Sequence, residues 1–280
     1  MLSRLRWCLL LLGPVLVPAQ EFSFLQLSDP QFGMYTENRD FAQETANFEF
    51  AIATANRLHP AFVVVCGDLT NKAGDPSQMA EYQRIAHRLD PSIPLYNVAG
   101  NHDVGNQPTP ESLAAYRRQY GPDYYTFHQG SFEGIVLNSS LIQHPEKAAA
   151  EATKQATWLE QELQQAQKKL VARVVVFQHI PWFLETSAEP DQYFNIPKVT
   201  RARYLALFEK YGVHEVFAGH YHRNAEGRTP TLHITTTGPV GKPLGPDPSG
   251  IRVVTVRPAS VESHYYGLGN LPNHLDEPLH

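Results

Sequence analysis

Six side chains able to ligate a metal ion recur in short polar clusters along this chain. Asp29 stands in Ser28-Asp29-Pro30-Gln31, Asp68 in Cys66-Gly67-Asp68, and Asn101 in Gly100-Asn101-His102-Asp103. His179 follows Gln178, while His220 and His222 flank Tyr221 just after Gly219. The donors are carboxylate and amide oxygens and imidazole nitrogens, with no thiolate among them. That set suits a dinuclear site for Zn, Fe or Mn better than a structural zinc site. Gln31 can add a carboxamide oxygen, a poorer ligand than imidazole for Zn or Fe, or it can orient a water.

These clusters lie far apart in sequence, so strands must deliver them. Each directly follows a short run of strand-forming residues: 22–27, 62–66, 95–98, 174–177 and 215–218. An α/β domain assembles sites in this way, from the ends of several strands. Periodicity and composition predict helices over 41–58, 78–88, 111–120, 147–169 and 201–211 between the strands. A pair of strands is expected at 124–128 and 134–138. Strands at 232–236, 251–256 and 260–264 then follow with no long helix among them. Alternation followed by a run of strands suggests two packed sheets with helices outside. Loops 28–40, 104–110, 179–200 and 238–250 are rich in Pro, Gly and polar residues, and most are long for connectors, which favours a site-forming role. If the strand before Gly219 continues, His220 and His222 point to one face.

The five clusters, in this order, resemble the pattern D-x-H, G-D, G-N-H-D/E, H and G-H-x-H of the calcineurin-like metallophosphoesterases. The resemblance runs from about Phe22 to His222. Gln31 departs from it, standing where most of the family has His. The wording of 28–33, the Tyr193-Phe194-Asn195 loop and the Gly-rich 238–250 stretch are similar to one branch, described as serine/threonine protein phosphatases. The resemblance implies a four-layer α/β/β/α sandwich of two mixed β-sheets with the metal site at the strand ends. It implies two divalent ions, Mn, Fe or Zn, with Asp68 as the bridging carboxylate. Asp29, His222 and Gln31 would serve one ion, and Asn101, His179 and His220 the other. It also implies hydrolysis of phosphate monoesters by a metal-bound hydroxide. His102 would protonate the leaving oxygen or stabilise the transition state, with Asp103 holding its ring. Trp182, Phe183, Tyr193, Phe194 and Asn195 offer a wall for the leaving group. Arg201, Arg203 and Arg223 are expected at the surface rather than on phosphate. Two alternatives stay open: a phosphodiesterase acting on nucleotides or lipid headgroups, and a non-catalytic metal- or phosphate-binding protein.

The 280 residues carry 23 Lys and Arg against 28 Asp and Glu, a formal net charge of −5. That balance argues against a broad nucleic-acid surface and leaves a phosphorylated small molecule or a phosphoprotein as the expected substrate. Arg4 and Arg6 precede the apolar run Trp7–Val17, and Val17-Pro18-Ala19 offers a small-residue cleavage site. Residues 1–19 thus read as a signal peptide and the protein as secreted or periplasmic, with no membrane span after cleavage. The domain is then expected over 20–267, followed by a peripheral or disordered tail at 268–280. Of the two cysteines, Cys8 falls in the leader without a lipoprotein context. Cys66 is left unpaired, as an inert core residue in a Val-rich strand.

Overall fold

The computed structural model describes residues 21–275. The signal peptide expected at 1–19 lies outside the described residues. In chain order the elements are β1 (Phe22–Leu27), α1 (Ala42–Leu58), β2 (Val63–Val65), α2 (Pro76–Ala86), β3 (Leu95–Asn97), α3 (Asn101–Val104) and α4 (Pro110–Tyr120). Next come β4 (Tyr125–Gln129), β5 (Phe132–Val136), α5 (Ser139–Gln143), α6 (Ala149–Lys168), β6 (Arg173–Phe177) and α7 (Lys198–Tyr211). The last are β7 (Glu215–Ala218), β8 (Ala225–Arg228), β9 (His233–Thr236), β10 (Gly250–Val256) and β11 (Val261–Gly267). The sequence expected most of these within a few residues. It did not expect the short α3 and α5 or the edge strand β8.

The first sheet runs β11-β10-β1-β2-β3 and the second β4-β5-β6-β7-β9-β8. Each is mixed. β1, β2 and β3 are mutually parallel, and the antiparallel hairpin β10–β11 is added to β1. β5, β6, β7 and β9 are parallel, with antiparallel β4 and β8 at the edges. Parallel strands covered on both faces read as near-continuous apolar runs, and Val63-Val64-Val65 is such a run.

Side-chain alternation sorts these runs into layers. On β1, Phe24 joins the core between the sheets, with Phe62, Val64, Phe177, Phe217 and Val254. Its neighbours Leu25 and Leu27 point the other way, to Phe48 and Ile52 of α1 and Tyr82 and Ile85 of α2. On the second sheet, Val176 and Val216 pack outward against Leu159 and Leu163 of α6 and Phe208 of α7. The result is the expected α/β/β/α sandwich. Phe24 stacks on Phe62 at 4.6 Å and meets Phe177 and Phe217 edge-on, each at 5.6 Å, so aromatic rings fasten one sheet to the other. Cys66 is buried and unpaired, and burial pushes its thiol up.

The helices begin where local chemistry allows. Asp75 accepts the amides of Ser77 and Gln78 ahead of Pro76, and Thr109 caps α4 ahead of Pro110. The tail after β11 is held against the domain as far as it is described. Leu268, Leu271 and Leu275 pack against the α1 side of the core, and Arg57 donates to the carbonyls of Pro272 and Asn273. As far as residue 275 it straps α1 to the domain, because three leucines at this spacing have apolar surface to bury. No helix among the described residues is long and apolar enough to cross a membrane.

Candidate metal centre

The carboxyl ends of β1, β2, β3, β6 and β7 meet at one edge of the sandwich, and the polar clusters begin there. The chain leaves the strands sharply. Asp29, Gln31, Asp68, His220 and His222 take positive φ of 48°, 41°, 49°, 69° and 53°. Left-handed backbone is uncommon for residues other than glycine and concentrates at functional sites. Here it accounts for five of the nine such residues among those described. Glycines make the close approaches possible. A Cβ on Gly67, itself at φ 82°, would lie 2.5 Å from His179 Nδ1.

The edge draws all six ligand candidates together, and they are buried. His179 Nε2 lies 3.2 Å from Asp68 Oδ2, 3.0 Å from Asn101 Oδ1 and 3.2 Å from His220 Nδ1. His222 Nε2 lies 3.3 Å from Asp29 Oδ1. Asp68, His179 and His220 form one group with ligand atoms within 4.8 Å of one another; Asp29, Asp68 and His222 form a second. Asp68 belongs to both.

The hydrogen bonds on the far side of each imidazole fix its tautomer. His179 Nδ1 faces the Cys66 carbonyl at 2.8 Å, His220 Nε2 the Tyr193 carbonyl at 3.0 Å, and His222 Nδ1 the Lys242 carbonyl at 2.6 Å. A carbonyl only accepts, so each of those nitrogens carries the ring proton. The other nitrogen then offers a lone pair to the centre, the arrangement typical of metal-bound histidines. Lone pairs of His179, His220, Asp68 and Asn101 therefore converge with no proton among them. Asp29 Oδ1 and Gln31 Oε1 are buried and accept no hydrogen bond. A cation would satisfy such a donor set, and without one a proton at His179 has to stand in for it. The residues present fit divalent metal ions.

Charge tells the same story. Burial pulls His179 down, but the Asp68 carboxylate more than offsets it and raises the imidazole to about 9. Burial, together with the neighbouring His179, lowers His220 to about 4. Adjacent imidazoles pushed in opposite directions share one excess of negative charge, which a metal ion would satisfy better than one proton.

The remaining residues divide. His102 sits on α3, half-buried, with Nδ1 on the Asn71 carbonyl at 2.7 Å and its backbone N–H donated to Asp68 Oδ1 at 2.9 Å. Gln31 Nε2 donates to Asn71 Oδ1 at 3.1 Å, which leaves its orphaned Oε1 as the group available to a cation. Asp103 does not hold the His102 ring, contrary to expectation. At the third position of α3 its carboxylate turns back to accept the amides of Gly100, Leu69 and Thr70. Burial and the nearby Asp68 push this carboxyl up to about 7. It ties the Asp68 loop to the Asn101 turn. His220 and His222 do not share one strand face. β7 stops at Ala218, and their left-handed backbone sends each ring into a different ligand group.

The expected leaving-group wall splits as well. Trp182 and Phe183 are core residues, and Asn195 bonds within its own loop to Glu189 and Pro190. Tyr193 and Phe194 alone stand at the centre, their rings 4.8 and 5.6 Å from that of His220. Arg203 is exposed, and Arg223 lies over Tyr221 at 4.8 Å. Arg201, expected at the surface, is buried and donates to the carbonyls of Ser187, Glu189 and Ile196. Asn71, holding both Gln31 and His102, carried no signal beyond its place three residues after Asp68.

Residues 22–224 match the family described as calcineurin-like phosphoesterase. The chain belongs to that family. It is 38% identical over 265 residues to bovine serine/threonine-protein phosphatase CPPED1, covering 89% of this chain and 85% of the bovine protein. The human protein of the same name is also 38% identical, over 266 residues and with the same coverage. Among solved structures, a dimetal phosphatase from Danio rerio has a TM-score of 0.60 at 16% identity, over 88% of this chain and 99% of that one. Purple acid phosphatase PPD1 from yellow lupin has a TM-score of 0.64 at 14% identity, over 90% of this chain and 52% of that one. These two likenesses establish the shared fold. With family and ligand geometry together, this calcineurin-like phosphoesterase is a metal-dependent hydrolase of phosphoric esters.

Proposed function

We propose that this phosphoesterase hydrolyses phosphate monoesters at a centre of two divalent ions, Mn, Fe or Zn. The observation that carries the reading is Asp68, whose carboxylate is common to both ligand groups. Asp29, His222 and the Gln31 carboxamide would hold one ion; Asn101, His179 and His220 would hold the other; Asp68 would bridge them. When bound, such a pair neutralises phosphoryl charge and lowers the pKa of water at the site.

The protein residues do the rest. The Cys66, Tyr193 and Lys242 carbonyls keep the three imidazoles in the ligating tautomer. His102 is oriented by the Asn71 carbonyl, so its Nε2 is the ring atom left to hold a proton for the departing oxygen. Asp103 acts through the backbone: by holding residues 69, 70 and 100 it fixes the separation of Asp68 and Asn101. The curated relatives are named serine/threonine-protein phosphatases, so a phosphoserine or phosphothreonine side chain is one substrate class to test. The basic and apolar leader supports export, and an exported enzyme would meet small extracellular phosphate esters instead.

The deciding experiment is a panel of phosphomonoesters, phosphodiesters and a phosphopeptide, assayed with Mn, Zn, Fe and Mg after reconstitution. Turnover of monoesters well above diesters supports the reading. Preference for diesters overturns it in favour of a phosphodiesterase, and metal binding without turnover in favour of a binding protein.

A further inference from the structure

Tyr193 has no role in holding the imidazoles except through its backbone carbonyl, yet its side chain is placed with care. The phenol Oη accepts a hydrogen bond from Asn101 Nδ2 at 3.1 Å. Asn101 turns its other amide atom, Oδ1, to His179 Nε2 at the centre. The phenol oxygen thus stands one carboxamide away from a candidate ligand atom. Because Oη is the acceptor in that bond, its own proton is unspent, and no other partner takes it among the described residues. Tyr193 as a residue is 53% exposed, which leaves room for a substrate to approach its side chain.

The loop that carries Tyr193 is preorganised. His220 Nε2 donates to the Tyr193 carbonyl at 3.0 Å, and the ring packs on His220 and Phe194. Gln143 Nε2 donates to the Asn195 carbonyl at 2.9 Å. Buried Arg201 grips the carbonyls of residues 187, 189 and 196 on either side. A half-exposed aromatic ring on a free loop would swing away from the site; this one is pinned at three points. A fixed donor aimed at the place where anionic charge gathers needs no reorganisation when substrate arrives.

We propose that Tyr193 is a substrate-binding residue whose phenolic O–H donates to a phosphoryl oxygen of the ester, with the Tyr193–Phe194 ring pair forming the wall beside it. The proposal rests on the phosphoesterase reading of the centre. It adds a neutral donor to a site whose other protein contributions are ligands and one imidazole.

The test compares the metal-reconstituted wild type with Tyr193→Phe and Tyr193→Ala. Three quantities are measured: kcat/KM on 4-nitrophenyl phosphate, calorimetric affinity for inorganic phosphate, and metal content. A hydrogen bond to a charged group contributes about 1.5–3 kcal/mol, so Tyr193→Phe should lower kcat/KM and phosphate affinity by roughly 10–100-fold. Its metal content should be unchanged, because Asn101 Nδ2 keeps Asn106 Oδ1 at 2.8 Å. Tyr193→Ala should lose more, and the extra loss measures the ring. Phosphate affinity and kcat/KM within twofold of wild type in Tyr193→Phe would overturn the proposal. So would a loss of metal that accounts for the whole defect, since Tyr193 would then act only through Asn101. A wild type that hydrolyses no ester sinks the phosphoesterase reading instead, and the calorimetric difference still decides the tyrosine.

Discussion

Asp68 is the residue on which both ligand groups depend, and its two oxygens are already divided between tasks. Oδ2 faces His179, while Oδ1 accepts the His102 amide. Asp68→Asn would set an NH2 among converging lone pairs, so metal content by elemental analysis should fall from near two equivalents to less than one, with turnover lost. A variant that keeps both metals would count against the bridge. His102 makes a different prediction, because its ring is hydrogen-bonded to the Asn71 carbonyl rather than to a ligand candidate. His102→Ala should retain its metal and lower kcat by roughly 10²–10⁴-fold, the range of general acid–base catalysis. The defect should shrink for 4-nitrophenyl phosphate, whose leaving group needs little protonation; equal losses on alkyl and aryl esters would instead assign His102 to phosphate positioning. Gln31 is the third case. An imidazole in place of its orphaned carboxamide oxygen should favour Zn, Fe or Mn over Mg. Gln31→His should therefore keep metal through dialysis against a chelator that strips the wild type, and equal metal retention would remove Gln31 from the ligand set. These candidates were legible because each follows an apolar run and is a competent donor. The role of Asp103 was not, since its partners at 69 and 70 are brought near only by the fold. Nor was Asn71, which holds His102 through a backbone carbonyl that any residue type possesses and meets Gln31 through a side chain that only the fold brings near.

At the scale of elements, the strand-to-loop junctions carry the site, and glycine sets how closely they approach. Gly67 lies against the His179 ring with φ at 82°. Gly67→Ala must strain the backbone and move that ring, so it should destabilise by about 1–3 kcal/mol or more and lower metal affinity with it. Denaturant melts of the apo and reconstituted variant measure both; an unchanged midpoint would mean that the junction yields more easily than its packing suggests. Periodicity located the strands and the long helices because their apolar stripes are long. It missed α3 and α5, four and five residues each, which are too short to show a period. It ended the strand before Gly219 correctly but did not show the course of the chain beyond it: His220 and His222 both take left-handed backbone, and the turn divides them between ligand groups. Arg201 was read by residue type as a surface charge. The loop it organises has carbonyls with no strand to pair with, and a buried guanidinium supplies the missing donors.

The molecule as a whole is two sheets joined through one aromatic core and one polar edge. Asp29, Asp68 and Asn101 come from the first sheet, and His179, His220 and His222 from the second; oxygen donors face nitrogen donors across the seam. Bound ions should therefore stabilise the whole domain. One site held at 100 times its dissociation constant contributes about 2.7 kcal/mol. In a domain of this size that corresponds to a Tm rise of roughly 5–10 °C. Melts before and after chelation test it, and equal Tm with metal loading verified would show that the sheets do not rely on the centre. The two-sheet architecture was legible from the order of elements. The strap formed by the tail was not, because Leu268, Leu271 and Leu275 are interrupted by Gly269 and Pro272 and form no helix or strand that a periodic pattern would announce. The arrangement of the first sheet has a consequence for how the chain is made. β1 pairs with β2 on one side and with β10 on the other, Phe22 lying opposite Val256. The second sheet is wholly encoded between them. A chain emerging from the ribosome thus exposes one edge of its first strand until β10 has been synthesised. Contacts of such long sequence separation form slowly, and an unpaired apolar edge invites aggregation meanwhile. The nascent protein would need its β1 edge shielded until residue 256 is free, and metal loading would mark the end of assembly rather than its beginning.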